Sequence, residues 1–131
     1  MSNSAILCVD DERVVLDSLK TQLKEEFGET YCYEIAENAE DAFEIIEELF
    51  EEQIEVLVIV SDWLMPGMKG DEFLVRVHEK YPNIINVMLT GQADEHTLER
   101  AHHDANLHGC LYKPWNGNEL IETIKAALAK L

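Results

Sequence analysis

A chain of 131 residues with 47% apolar side chains is long enough to bury one core and too apolar to remain disordered. Its 27 acidic residues against 10 basic ones give a formal net charge of −17, which argues against direct binding of nucleic acid, since phosphate contact needs Lys and Arg. No apolar run approaches a membrane span, and Met1-Ser-Asn-Ser4 lacks the features of a signal peptide, so a single cytoplasmic domain over residues 1–131 without membrane insertion is expected.

Two hydrophobic periods alternate along the chain. Ala5 to Val9 is a short apolar strand that ends in Asp10-Asp11. Val15, Leu16, Leu19, Leu23 and Phe27 then recur at helical spacing, and Gly28 stops that helix. Tyr31 to Ala36 reads as the second strand. Asn38 caps the second helix, with Glu40 and Asp41 favourable in its first turn. Ala39, Ala42, Phe43, Ile46, Leu49 and Phe50 mark its expected buried stripe. Between Glu34 and Glu55 there is no Lys or Arg. The ordinary reading of that acidic run is a solvated helix face, and an acidic docking surface is the alternative.

Val56 to Ser61 is the third strand. Its nearly unbroken apolar character fits a parallel strand covered on both faces, and Asp62 stands where it emerges, before the Pro66-Gly67 turn. Asp71 to Lys80 is a helix through Phe73, Leu74 and Val77. Ile84 to Leu89 is the fourth strand and closes at Thr90-Gly91. Asp94 to Asp104 is a helix with few large apolar residues, expected to pack loosely. His102 and His103 at its end point about 100° apart and have no partner ligands at suitable spacing, so they read as solvated. His108 to Tyr112 is the fifth strand and closes at Lys113-Pro114. Asn116 caps the last helix with Glu119 at the capping-box position, and Leu120, Ile124, Leu128 and Leu131 form its stripe. Cys8, Cys32 and Cys110 lie far apart without metal-ligand spacing and read as reduced core residues.

Five strand–helix units in series imply an α/β fold, a (βα)5 doubly wound parallel sheet of flavodoxin-like order 2-1-3-4-5. Ligands of such sheets bind outside the carboxyl ends of the strands. Those ends deliver Asp10 and Asp11, Asp62, Thr90, and Lys113. Converging carboxylates repel one another unless a cation lies between them. The hard oxygen donors favour Mg²⁺, with Mn²⁺ or Ca²⁺ as possible substitutes. A Lys and a hydroxyl opposite could hold phosphoryl oxygens, Gly91 leaves space for the group to enter, and Asp62 is the natural nucleophile.

Asp10-Asp11, Ser61-Asp62-Trp63-Leu64-Met65-Pro66-Gly67, Leu89-Thr90-Gly91 and Tyr112-Lys113-Pro114, in this order and each at a strand end, resemble the receiver domains of two-component response regulators. The resemblance runs from Ile6 to the last helix. It implies that Asp62 accepts a phosphoryl group from a phosphohistidine on a sensor histidine kinase or phosphotransfer protein. It implies that Asp11, Asp62 and the backbone carbonyl of Leu64 bind Mg²⁺, with Asp10 assisting. Lys113 would pair with the phosphoryl group, Thr90 would swing to it, and Tyr112 would move inward as the switch aromatic. The Lys113–Pro114 peptide would be cis. The face made by the fourth predicted helix, the fifth strand and the last helix would report the change to an output domain or effector, or form a homodimer. The only catalysis implied is of the chain's own phosphorylation and dephosphorylation.

Two positions depart from the family pattern. Lys69 stands where many relatives carry Asp. Leu64 cannot orient an attacking water, a task that falls to Gln92 instead. Three rival readings exist. An aspartyl-phosphate phosphohydrolase would want a second Asp where Leu64 stands. A flavin or nucleotide module would want a Gly-rich loop where Asp10-Asp11-Glu12 stands. A degenerate receiver acting only as a protein-binding scaffold would not need the intact Asp, Thr and Lys set.

Overall fold

The pleat of a strand sends alternate side chains to opposite faces, so a strand that is apolar at every position needs cover on both. In the computed structural model, which describes residues 3–63, 67–68, 70–91, 99 and 107–131, the central strands meet that demand. Strands β1 (Ser4–Val9), β2 (Cys32–Ala36), β3 (Glu55–Asp62), β4 (Ile85–Thr90) and β5 (Leu107–Tyr112) form one parallel sheet of order β2-β1-β3-β4-β5. This is the order read from the sequence.

Helices α1 (Arg13–Phe27), α2 (Ala39–Glu51), α3 (Gly70–Lys80) and α4 (Gly117–Leu128) cover the sheet. Leu7, Val9, Ile59 and Met88 point to one face and pack with α2 and α3 through Ala42, Ile46, Phe73, Leu74 and Val77. Ile6, Cys8, Val58, Val60, Val87 and Leu89 point to the other and pack with α1 and α4 through Leu16, Leu19, Leu23, Leu120 and Ile124. Of the helix expected over Asp94 to Asp104, only Glu99 lies within the described residues, where it is helical and exposed. His102 and His103 lie outside them, as does Lys69. Among the described residues no helix is long and apolar enough to cross a membrane.

Local chemistry sets the helix ends. Asn38 Oδ1 accepts the Asp41 N–H at 2.8 Å at the start of α2, and Asn116 Oδ1 accepts the Asn118 N–H at 2.8 Å at the start of α4. Glu119 adds its negative charge to that first turn. Gly28 closes α1 with φ of 61°, a left-handed conformation that favours glycine, and its N–H bonds the Lys24 carbonyl.

Two expectations about the core need correction. Phe50 is 72% exposed and Leu131 is 58% exposed. The buried stripe of α2 runs Ala39, Ala42, Ile46 and Leu49, and Phe50, one turn after Ile46, falls in the last turn of the helix, where its side chain is left in solvent. In α4 the stripe is Leu120, Ile124 and Ala127, and the helix ends at Leu128 before Leu131 can join. The cysteines are all free, but only Cys8 is buried, while Cys32 and Cys110 are half-buried.

Phe73 is fully buried and meets Phe43 edge to face with ring centroids 5.1 Å apart. Phe73→Ala is therefore expected to cost about 3–5 kcal/mol of stability, read as a lower urea midpoint at unchanged m-value.

Candidate functional site

Because every strand is parallel, all five carboxyl ends lie along one rim of the sheet. Val9 pairs in register with Ser61, so the next residues, Asp10 and Asp62, stand side by side on neighbouring strands. Asp62 pairs with Leu89, and Thr90 pairs with Tyr112, which brings Lys113 to the same rim. The Lys113 N–H donates to the Thr90 carbonyl at 2.7 Å and extends the ladder one step beyond the strands.

Asp10 is fully buried, Asp62 is 5% exposed, and Asp11 faces solvent. One carboxylate oxygen from each lies within 4.8 Å of the other two. Asp10 Oδ1 accepts the Glu12 N–H at 2.8 Å, and Asp10 Oδ2 accepts from Lys113 Nζ at 2.8 Å. Lys113 Nζ also lies 3.3 Å from Asp62 Oδ1. Burial by itself lowers the Lys113 pKa, but the bond to Asp10, the charge of Asp10 and then that of Asp62 outweigh it, and the net direction is upward. Beneath the rim, burial first and the Asp10 charge second push the Cys8 thiol up to about 12, so it offers no thiolate.

Thr90 is fully buried at the end of β4. Gly91 follows it, exposed, with open space where a Cβ would stand. Tyr112 is 55% exposed. The Lys113–Pro114 peptide is cis. Leu64 and Gln92, assigned from the sequence, lie outside the described residues. The five strand-end residues Asp10, Asp11, Asp62, Thr90 and Lys113 thus share one rim.

Two features of this rim were missed in the sequence. One is the direct Lys113–Asp10 pair, which spans the length of the chain. The other is the Trp115 indole N–H, which donates to Gln22 Oε1 at 2.9 Å while Gln22 Nε2 donates to Ser18 Oγ at 3.1 Å. This links the loop after Lys113 to α1. Trp115, two residues after Lys113, is half-buried, and nothing in the sequence pointed to Gln22 as its partner.

Chemically, among the described residues three carboxylates face one ammonium group. The donors are hard oxygens, and Asp11 keeps the cluster open to water. The set fits a hard divalent cation and disfavours zinc.

The family model for the response regulator receiver domain matches residues 6–125. The hydrogenase transcriptional regulatory protein HoxA of Bradyrhizobium diazoefficiens is 34% identical over 123 residues, covering 94% of this chain and 24% of that protein. The chain thus spans about a quarter of the length of the curated relatives it matches. Among solved structures, the signal receiver domain of an HD domain-containing protein from Pseudomonas fluorescens Pf-5 superposes with a TM-score of 0.86 at 28% identity, covering 97% of this chain and 95% of that one. A CheY-like response regulator receiver domain protein from Methanospirillum hungatei JF-1 gives 0.83 at 31% identity, covering 97% and 94%.

Because the Lys113 pKa is raised in the folded chain, the stability from its ion pairs is fully present below its ordinary value of 10.5 and lost as pH rises through the higher folded value. Asp10→Asn removes the nearer partner and is expected to lower the Lys113 pKa, which a pH titration of its ¹³Cε resonance measures. An unchanged value would mean that Asp10 does not set it.

Proposed function

The chain belongs to the response regulator receiver family, and from that premise we propose that Asp62 is its phosphoacceptor. The observation that carries this reading is the placement of Asp62. It is nearly buried at the end of β3, 3.3 Å from Lys113 and clustered with Asp10 and Asp11.

In this reading a sensor histidine kinase or a phosphotransfer protein presents a phosphohistidine. An Asp62 oxygen attacks phosphorus, a P–O bond forms and the P–N bond breaks. The electron pair of that bond leaves with the imidazole, which takes up a proton. The product is an acyl phosphate. Asp11, Asp62, the Leu64 carbonyl and Asp10 would hold Mg²⁺, which would supply charge neutralisation for the transferred group. Lys113 shifts its bond from the carboxylates to a phosphoryl oxygen, and the Thr90 hydroxyl donates to another. Gly91 leaves the entrance clear. Water, oriented by Gln92, later hydrolyses the acyl phosphate, so the chain turns over only itself.

The consequence at the surface is mechanical. Thr90 moves toward the phosphoryl group, and Tyr112, exposed before the event, fills the space behind it. The face formed by the helix expected over Asp94 to Asp104, by β5 and by α4 carries that change to an output domain or effector, or to a second copy in a homodimer. Residues 1–131 act as one receiver domain in the cytoplasm.

Incubation with acetyl phosphate and Mg²⁺ is expected to raise the intact mass by one phosphoryl group, and Asp62→Asn is expected to abolish the rise. Modification of that variant at the same stoichiometry would exclude Asp62 as the acceptor. Mg²⁺ at a hundred times its Kd should stabilise the folded chain by about 2.7 kcal/mol in chemical denaturation. Asp11→Asn should remove most of that gain.

A further inference from the structure

Phe50 stands at the mouth of a pocket of about 270 Å³. Its floor is Ile46, Val56 and Ile84, which are themselves core residues, and Ile54 and Pro82 line its walls. Val56 and Ile84 mark the amino ends of β3 and β4, so the pocket opens at the opposite end of the sheet from Asp62. Small-molecule and cofactor sites run from about 300 to 1,000 Å³. This space lies below that range and matches one or two apolar side chains.

The rim is acidic. Glu51 and Glu52 follow Phe50 and are exposed, and Glu55 lines the pocket. Among the described residues none of the three is paired with a cation. Lys80 also lines the pocket, but it is engaged with Glu47 at 3.3 Å and lies 5.5 Å over the Tyr81 ring. A floor that opens on the core, an aromatic side chain left in water and unpaired carboxylates around it are complementary to an apolar anchor flanked by cations. A second copy of this chain is a poor occupant, because a net charge of −17 would set one acidic surface against another.

We propose that this pocket docks a basic amphipathic segment of a partner protein. One apolar side chain enters beside Phe50, and Lys or Arg side chains of the segment meet Glu51, Glu52 and Glu55. The site needs neither Asp62 nor a metal ion and is independent of the phosphotransfer reading.

The probe is a fluorescein-labelled synthetic peptide with Leu at i, i+3, i+4 and i+7 and Lys on its flanks, titrated by anisotropy against the full chain at about 0.15 M salt. A peptide with Glu in place of Lys is the control and is expected not to bind. Phe50→Ala, an exposed change that leaves the fold intact by circular dichroism, is expected to weaken binding about tenfold. The double change Glu51→Lys and Glu52→Lys is expected to weaken it as well. Val14→Ala, at a side chain 79% exposed on α1, is expected to leave binding unchanged. Absence of binding, or equal affinities for the Phe50→Ala and Val14→Ala chains, overturns the proposal, the latter because net charge alone would then explain the contact. A dimer in sedimentation that Phe50→Ala dissolves also overturns it, by assigning the pocket to a second copy.

Discussion

The ion pair between Lys113 and Asp10 is the contact on which the rim of the sheet depends. A carboxylate with no solvent exposure is tolerated only when it is paired and hydrogen-bonded. Asp10 meets both conditions, one oxygen on the Glu12 N–H and the other on Lys113 Nζ. The same ammonium lies within reach of Asp62. Lys113 therefore ties the fifth strand to the first and third across the sheet. It also places a cation beside the carboxylate that the phosphotransfer reading makes the nucleophile.

That pairing settles only part of the charge. Asp11 adds a third carboxylate from the solvent side, close enough to the other two to repel them. Folding brings these groups together because apolar residues immediately before them demand burial in parallel strands. The hydrophobic core thus imposes an electrostatic cost at its own rim. A divalent cation held between the carboxylates would offset that cost. Structure and chemistry are linked here through the register of Val9 with Ser61 more than through any loop.

Much of this was legible in the chain itself. Apolar runs ending in Asp10, Asp62, Thr90 and Lys113 marked the strand ends, and a parallel sheet necessarily gathers such ends on one side. Helical periodicity located Leu16, Leu19, Leu23, Phe73, Leu74 and Val77 in the core. It failed at Phe50 and Leu131, because a repeat of 3.6 residues carries no information about where the supporting sheet stops or where a helix ends. The Lys113–Asp10 pair was not legible as a contact, since it joins residues at opposite ends of the sequence. The Gln22–Trp115 bond was hidden for the same reason. It depends on the distance between α1 and the loop before α4, which only the packed second face of the sheet determines.

The two tryptophans occupy opposite sides of the molecule. Trp63, directly after Asp62, packs with the cluster under α2 and α3, while Trp115 packs with the cluster under α1 and α4. The intrinsic emission of the folded chain is therefore a sum of two unlike surroundings, and one of its sources donates a hydrogen bond to Gln22. A quenching or wavelength shift in that composite signal carries no address. A chain in which phenylalanine replaces Trp115 would restrict the light to the layer beside Asp62 and turn a bulk spectroscopic change into a local one.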